Sequence, residues 1–221
     1  ILEADPENVT ALAGRALVLY ESDNRDQAFE IIQQALERDP GSPMANYVAA
    51  LLYHNTEEHY DEEAALNALN IVIDGCGDET RLCIYALIER AYLYNGRGES
   101  DLAMADVERG FDLAPSERQQ LLLHEIRGYV YEGMRDYASS ADSLEQAYNL
   151  SGEVYFLERA AALAVRTGDL DRAAGWYDQM IEATQSGPHF ITMRGYIEYR
   201  RGDLALARDY ADRALAFMPD L

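Results

Sequence analysis

The chain has 221 residues, 48% of them apolar, and carries 40 acidic against 18 basic residues for a net charge of −22. So acidic a chain repels phosphate backbones and anionic lipid headgroups, which sets aside nucleic acid and membrane surfaces as partners. All 18 basic residues are arginine, so Schiff-base and phosphate-loop chemistry that needs a lysine is excluded too.

The chain opens on Ile1-Leu2-Glu3, without an initiator methionine. Residues 1–8 are expected to be the tail of a preceding unit, cut inside a longer protein. Two amphipathic segments follow, Val9–Tyr20 and Asp26–Arg38, joined by the polar stretch 21–25. Asp5-Pro6 recurs as Asp39-Pro40, 34 residues later. Within that period the small residues Ala16, Ala28 and Ala35 and then Pro40 stand twelve, seven and five residues apart. The same frame returns at Ala91, Ala103, Gly110 and Pro115, and at Gly195, Ala207, Ala214 and Pro219. Copies without the proline run through Gly128, Ser140, Ala147 and Gly152, and through Ala161, Ala173 and Met180. After Ala50 the turn is lengthened by an acidic insertion, His54 to Glu63. A single array is expected, with units at about 9–42, 43–83, 84–120, 121–153, 154–187 and 188–221.

Small residues at fixed places permit helix axes to approach to the near end of the usual ~8–10 Å range. Gly98, Gly168 and Gly202 fall at the turn between paired helices, where a left-handed residue ends the first. Asp169 and Asp203 follow at capping positions for the second.

A 34-residue helix–turn–helix period carrying this Ala/Gly–Ala–Ala–Pro frame resembles the tetratricopeptide repeat family over essentially the whole chain. It departs from the family pattern where Leu12 and Leu87 replace the preferred tryptophan; the one tryptophan, Trp176, lies on a second helix. The resemblance implies an all-α fold, a right-handed α-solenoid of about six helix-turn-helix repeats, with each first helix facing a concave binding surface.

Counting six and three places before each frame residue, and one and four after it, traces one stripe of each first helix. The stripe holds Thr10, Ala13, Leu17 and Tyr20 in the first unit and Met44, Tyr47, Leu51 and His54 in the second. Tyr85 and Tyr92 follow in the third, Glu125, Tyr129 and Glu132 in the fourth, Tyr155 in the fifth, and Tyr196 and Tyr199 in the last. Eight of the 16 tyrosines fall on it, and tyrosine offers a large apolar face with a polar tip. Any one ring can instead seal the seam between neighbouring repeats. Arg159, Arg166 and Arg200 lie beside the stripe and are candidates for orienting an acidic part of a ligand, the alternative being solvated arginines that offset the acids.

Charge is uneven along the chain. Residues 1–80 hold 17 acids and 3 arginines, whereas residues 154–221 hold 10 acids and 8 arginines. Some members of the family hold a chaperone's C-terminal carboxylate with lysine, asparagine and arginine on successive first helices. Here Ala13, Leu17, Val48, Tyr85 and Glu89 stand in the corresponding places, so that clamp is not expected.

No catalytic motif is present, and no cofactor or metal is expected. His54 and His59 are five residues apart, off a common helix face, and their stretch reads as a solvated acidic turn. Cys76 and Cys83 read as free thiols, which favours a reducing, cytoplasmic compartment. The expected function is a non-enzymatic protein-interaction module that binds a peptide or protein segment along the tyrosine stripe. The alternatives are a scaffold that self-associates through exposed array ends and the recognition arm of a larger enzyme or regulator.

Overall fold

A computed structural model describes residues 8–77, 80–113, 115–184 and 188–217. The described residues form twelve α-helices, one short 3-10 turn and no strands. They divide into two compact units, residues 1–119 and 120–221. Of the expected N-terminal tail only Asn8 is described, and Pro219 of the sixth frame lies outside the described residues.

The first unit holds three helical hairpins. They are α1 (Val9–Glu21) with α2 (Arg25–Arg38), α3 (Pro43–Asn55) with α4 (Glu62–Gly75), and α5 (Thr80–Gly96) with α6 (Ser100–Asp112). The helix starts are written in the sequence. Asn8 Oδ1 accepts from the Ala11 N–H at 2.9 Å, and Asp61 Oδ1 accepts from Ala64 at 2.9 Å. Ser42 caps α3, with Pro43 at the first helical position. Ala16, Ala28, Ala35, Ala91 and Ala103 are all fully buried at the helix crossings. Leu12, Ile32, Val48 and Leu52 fill one core, and Leu69, Val72, Leu87 and Leu93 fill a second.

The unit division falls in the first turn of α7 (Glu117–Gly133). The second unit continues with α8 (Tyr137–Ser151), α9 (Val154–Thr167), α10 (Leu170–Ala183), α11 (Pro188–Arg201) and α12 (Leu204–Leu215). Its core gathers Leu144, Leu157, Trp176, Tyr177, Met180 and Ile197. Close approach is required at Gly195, where an added Cβ would lie 2.8 Å from Tyr210 Cβ and 3.3 Å from the Ala207 carbonyl. Gly168 and Gly202 take φ of 86° and 87°, and Asp169 and Asp203 cap the helices that follow.

Three expectations need correction. Helices α5 and α7 begin at Thr80 and Glu117, each four residues ahead of the unit boundaries read from the frame. The Gln119 side chain folds back on the start of α7 as in one half of a capping box: the Ser116 N–H and hydroxyl donate to Gln119 Oε1 at 3.1 and 3.0 Å. Cys76 and Cys83 are not free thiols but a disulfide. The end of α4 and the start of α5 bring their Cα atoms to 5.7 Å, within bonding range, which removes the thiol argument for a reducing compartment. The acidic insertion is docked rather than wholly solvated. His59 stacks on Phe29 of α2 at 3.8 Å with its ring 8° from parallel, and Arg25 Nη1 donates to the Asn55 carbonyl at 2.5 Å. Among the described residues no group of histidine, cysteine and carboxylate side chains is placed to hold a metal ion.

Candidate functional site

In the first unit α3 packs against both α1 and α5, so the inner stripes of three first helices lie side by side. They enclose an open groove of about 790 Å³. Its walls are Leu17 and Tyr20 of α1, Met44, Tyr47 and Leu51 of α3, and Leu82 and Tyr85 of α5. Helical spacing explains the set: residues three, four or seven apart on a helix share a face. The Tyr47 and Tyr85 rings stand 6.5 Å apart and tilted by 46°. Burial raises the Tyr47 hydroxyl pKa well above its ordinary value, and the Glu89 charge raises it further.

Charged groups sit at the groove's edges. Glu21 ends α1, Arg81 stands in the first turn of α5, and Arg118 stands in the first turn of α7. Both arginines are exposed, and among the described residues neither guanidinium is hydrogen-bonded or ion-paired. Glu89 does not line the groove itself; it lies one turn beyond Tyr85 on α5, partly buried and near enough to Tyr20 and Tyr47 for its charge to act on both hydroxyls. Its carboxyl makes no hydrogen bond or ion pair among the described residues, and burial pushes its pKa up to about 7. Tyr92, a further turn along α5, is partly buried.

The second unit treats its inner residues differently. Tyr129 of α7 and Tyr155 and Arg159 of α9 form one network. The Tyr129 hydroxyl donates to Glu125 Oε1 at 2.8 Å and lies 3.4 Å from the Tyr155 hydroxyl. Arg159 donates to Glu132 Oε1 at 2.7 Å and to the Tyr155 hydroxyl at 2.9 Å, while its guanidinium covers the Tyr129 ring at 4.6 Å. Hydrogen bonding to Glu132 raises the Arg159 pKa, against a smaller lowering by burial. Arg166 lies 4.0 Å over the Tyr137 ring of α8. Arg200 donates to the Tyr196 hydroxyl at 3.3 Å. Tyr155, Tyr196 and Tyr199 are 51%, 42% and 61% exposed, the most accessible of the expected aromatic contacts.

Thus the structure brings Tyr47 and Tyr85 together in one groove, and Tyr129, Tyr155 and Arg159 together in one network. Counting along the frame missed Arg81, Leu82 and Arg118, because these lie in helical turns ahead of the frame boundaries. The Ser116-x-x-Gln119 pattern is the signal that would have moved the α7 boundary.

Stacked helical hairpins with an open, aromatic-lined groove define a helical-repeat interaction scaffold. The family model described as Tetratricopeptide repeat matches residues 1–43, 14–70 and 127–188, more than half of the chain. The chain belongs to the tetratricopeptide repeat family, whose fold serves protein–protein interaction and scaffolding. Among curated proteins none matches it. Among solved structures, it is similar to PilF of Pseudomonas aeruginosa, with a TM-score of 0.70 at 16% identity over 96% of this chain and 93% of that one. It is similar to PilW, a type IV pilus biogenesis factor, with a TM-score of 0.69 at 14% identity over 98% and 96%. YrrB, described as having an unusual peptide-binding site, gives 0.64 at 15% identity over 86% and 93%. At these identities the likeness is one of fold. No described helix is long and apolar enough to cross a membrane.

Proposed function

We propose that this chain is a non-enzymatic interaction module that holds a peptide or protein segment in the groove of its first unit. The observation that carries this is the groove itself, about 790 Å³, to which three successive first helices bring aromatic and apolar side chains. Rigid tyrosines on packed helices present contact area with little side-chain entropy left to lose. A peptide-binding site on the similar fold of YrrB supports the same use. Exposed Tyr155, Tyr196 and Tyr199 give the second unit an accessible aromatic surface of its own.

The test is a peptide array probed with the intact chain and with the Tyr47→Ala/Tyr85→Ala variant, after circular dichroism has shown both to be helical. Peptides kept by the parent are expected to bind the variant at least about tenfold more weakly, as loss of central aromatic anchors does elsewhere. Equal retention moves the site out of this groove.

A second use, self-association, is favoured by α12, which leaves Leu204, Leu206 and Leu215 exposed, with Phe217 just beyond it. Sedimentation equilibrium checks it: one monomer mass across the accessible concentrations argues against assembly through this face.

A further inference from the structure

We infer that the groove of the first unit selects a segment bearing a basic side chain, lysine or arginine, received at Glu89 beside Tyr20, Tyr47 and Tyr85. This deepens the function proposed above and rests on it. Three observations converge. The Glu89 carboxyl, although partly buried, has no hydrogen-bonding or ion-pairing partner among the described residues. A carboxylate partly withdrawn from water with no protein partner is less well solvated than a surface one, and a bound cation supplies the charge it lacks. Aromatic groups close to it are arranged to help. Tyr47 and Tyr85 present tilted rings 6.5 Å apart, and both Tyr20 and Tyr47 lie close enough to Glu89 for its charge to raise their hydroxyl pKa values. Ring faces and a carboxylate together attract an ammonium or guanidinium group. The field has the same sign: Glu21 lines this end of the groove, and residues 1–80 carry 17 acids against 3 arginines.

The apolar walls fit the rest of such a side chain. Leu17, Met44 and Leu51 give an alkyl stem a surface to lie along while its charged head reaches Glu89. The exposed, unpaired Arg81 and Arg118 repel a cation at the opposite edge, so the groove also fixes the direction of the segment. No inner-face carboxylate described for the second unit matches Glu89: Glu125 accepts from Tyr129, Glu132 from Arg159, and Glu158 stands 2.8 Å from His189.

Four capped pentapeptides test this, differing only at a central residue set between two leucines: lysine, arginine, norleucine or glutamate. The readout is the methyl NMR shifts of Leu17, Met44 and Leu51 at pH 7, on the full chain and on Glu89→Gln. The lysine or arginine peptide is expected to bind about tenfold more tightly than norleucine, the size of one charge-assisted contact. Glu89→Gln should abolish that preference. In the unsubstituted chain at pH 6.5, the Glu89 side-chain carbonyl shift should move to its ionised value as the basic peptide is added. The lysine and arginine arms decide between ammonium and guanidinium. Equal binding of lysine and norleucine peptides overturns the inference while leaving the groove as a binding site. Tighter binding of glutamate, lost in Arg81→Gln/Arg118→Gln, overturns it in favour of an anionic ligand. No shift of any groove methyl at millimolar peptide removes the groove function and the inference with it.

Discussion

The two units use charge in opposite ways. In the second unit Arg159 is paired with Glu132, Arg166 is stacked on Tyr137, and Arg200 is bonded to Tyr196. Within the same unit the buried Arg194 and Glu198 hold each other, with Asp178 and Arg201 joining the network. The first unit does pair some of its charges, since Arg90 grips Asp106 with two bonds of 2.6 and 2.7 Å. Its groove is different: Arg81 and Arg118 of the lining, and Glu89 close to the groove tyrosines Tyr20 and Tyr47, are left without partners among the described residues. A charge already paired holds the fold. A charge left open at a groove can distinguish one ligand from another. Removing charges one at a time should therefore have opposite consequences in the two units.

The largest effect is expected at Arg194. Its guanidinium is nearly buried, as is the Glu198 carboxylate it meets. Removing Arg194 leaves the buried Glu198 carboxylate with only the partly exposed Arg201 as a partner, at a cost of about 2–3 kcal/mol, below that of a fully stranded charge. Arg194→Met, which keeps most of the volume, should lower the unfolding free energy by that amount, read from urea titration. The double variant Arg194→Met/Glu198→Met should recover much of the loss, because two well-packed apolar side chains leave no stranded charge. An unchanged midpoint in the single variant would mean that the buried network contributes nothing to holding the second unit.

Glu89 should respond with the opposite sign. Its ordinary carboxyl value is 4.5, and burial pushes it to about 7 in the folded chain. Between those values the unfolded chain has released this proton and the folded chain still holds it, so stability falls as pH rises through that window. The fall totals about 3 kcal/mol at most, from about 1.4 kcal/mol for each pH unit of displacement. Glu89→Gln removes it. Relative to the parent, the variant should gain stability between pH 4.5 and pH 8, read from urea unfolding at each pH. Glu21, the other carboxyl at this end of the groove, is exposed, and a Glu21→Gln control separates its contribution from that of Glu89. Parallel pH profiles for parent and Glu89→Gln would show that the carboxyl is not destabilising, and would erase this difference between the units. A residue whose removal stabilises the fold is one whose retention calls for a use in binding.

How far this was legible follows from what each feature depends on. The frame residues could be read because close helix crossings admit only small side chains, and Ala16, Ala91 and Ala103 are fully buried where the period places them. The left-handed turn seven residues beyond the frame residue was legible at Gly98, Gly168 and Gly202. It was hidden at Asp23 and Arg135, which take the same positive φ of 62° without glycine to mark it. The inner stripe followed from counting, because neighbours along one helix are fixed by its pitch. Partners across helices are not. Arg159 meets Glu132, 27 residues earlier, and Cys76 meets Cys83 only because α4 ends where α5 begins. Nor did the sequence distinguish Glu89 from the other acids, since its burial and its lack of a partner arise only from packing.

The smallest effect is expected at Arg159, and it sharpens the comparison from the other side. Its pair with Glu132 is about one-third exposed on the arginine side and one-quarter on the glutamate side. Half-exposed pairs of this kind contribute roughly 0.2–1 kcal/mol and are weakened by salt. Arg159→Gln should therefore lower stability by less than about 1 kcal/mol, with the difference shrinking in 1 M salt because the Debye length there is only about 3 Å. Peptide binding in the first unit's groove should be untouched, while the Tyr155 ring loses the bond that fixes its hydroxyl. If Arg159→Gln instead weakened peptide binding as much as Tyr47→Ala/Tyr85→Ala does, the paired face would be the working surface. The open charges of the first unit would then need another explanation.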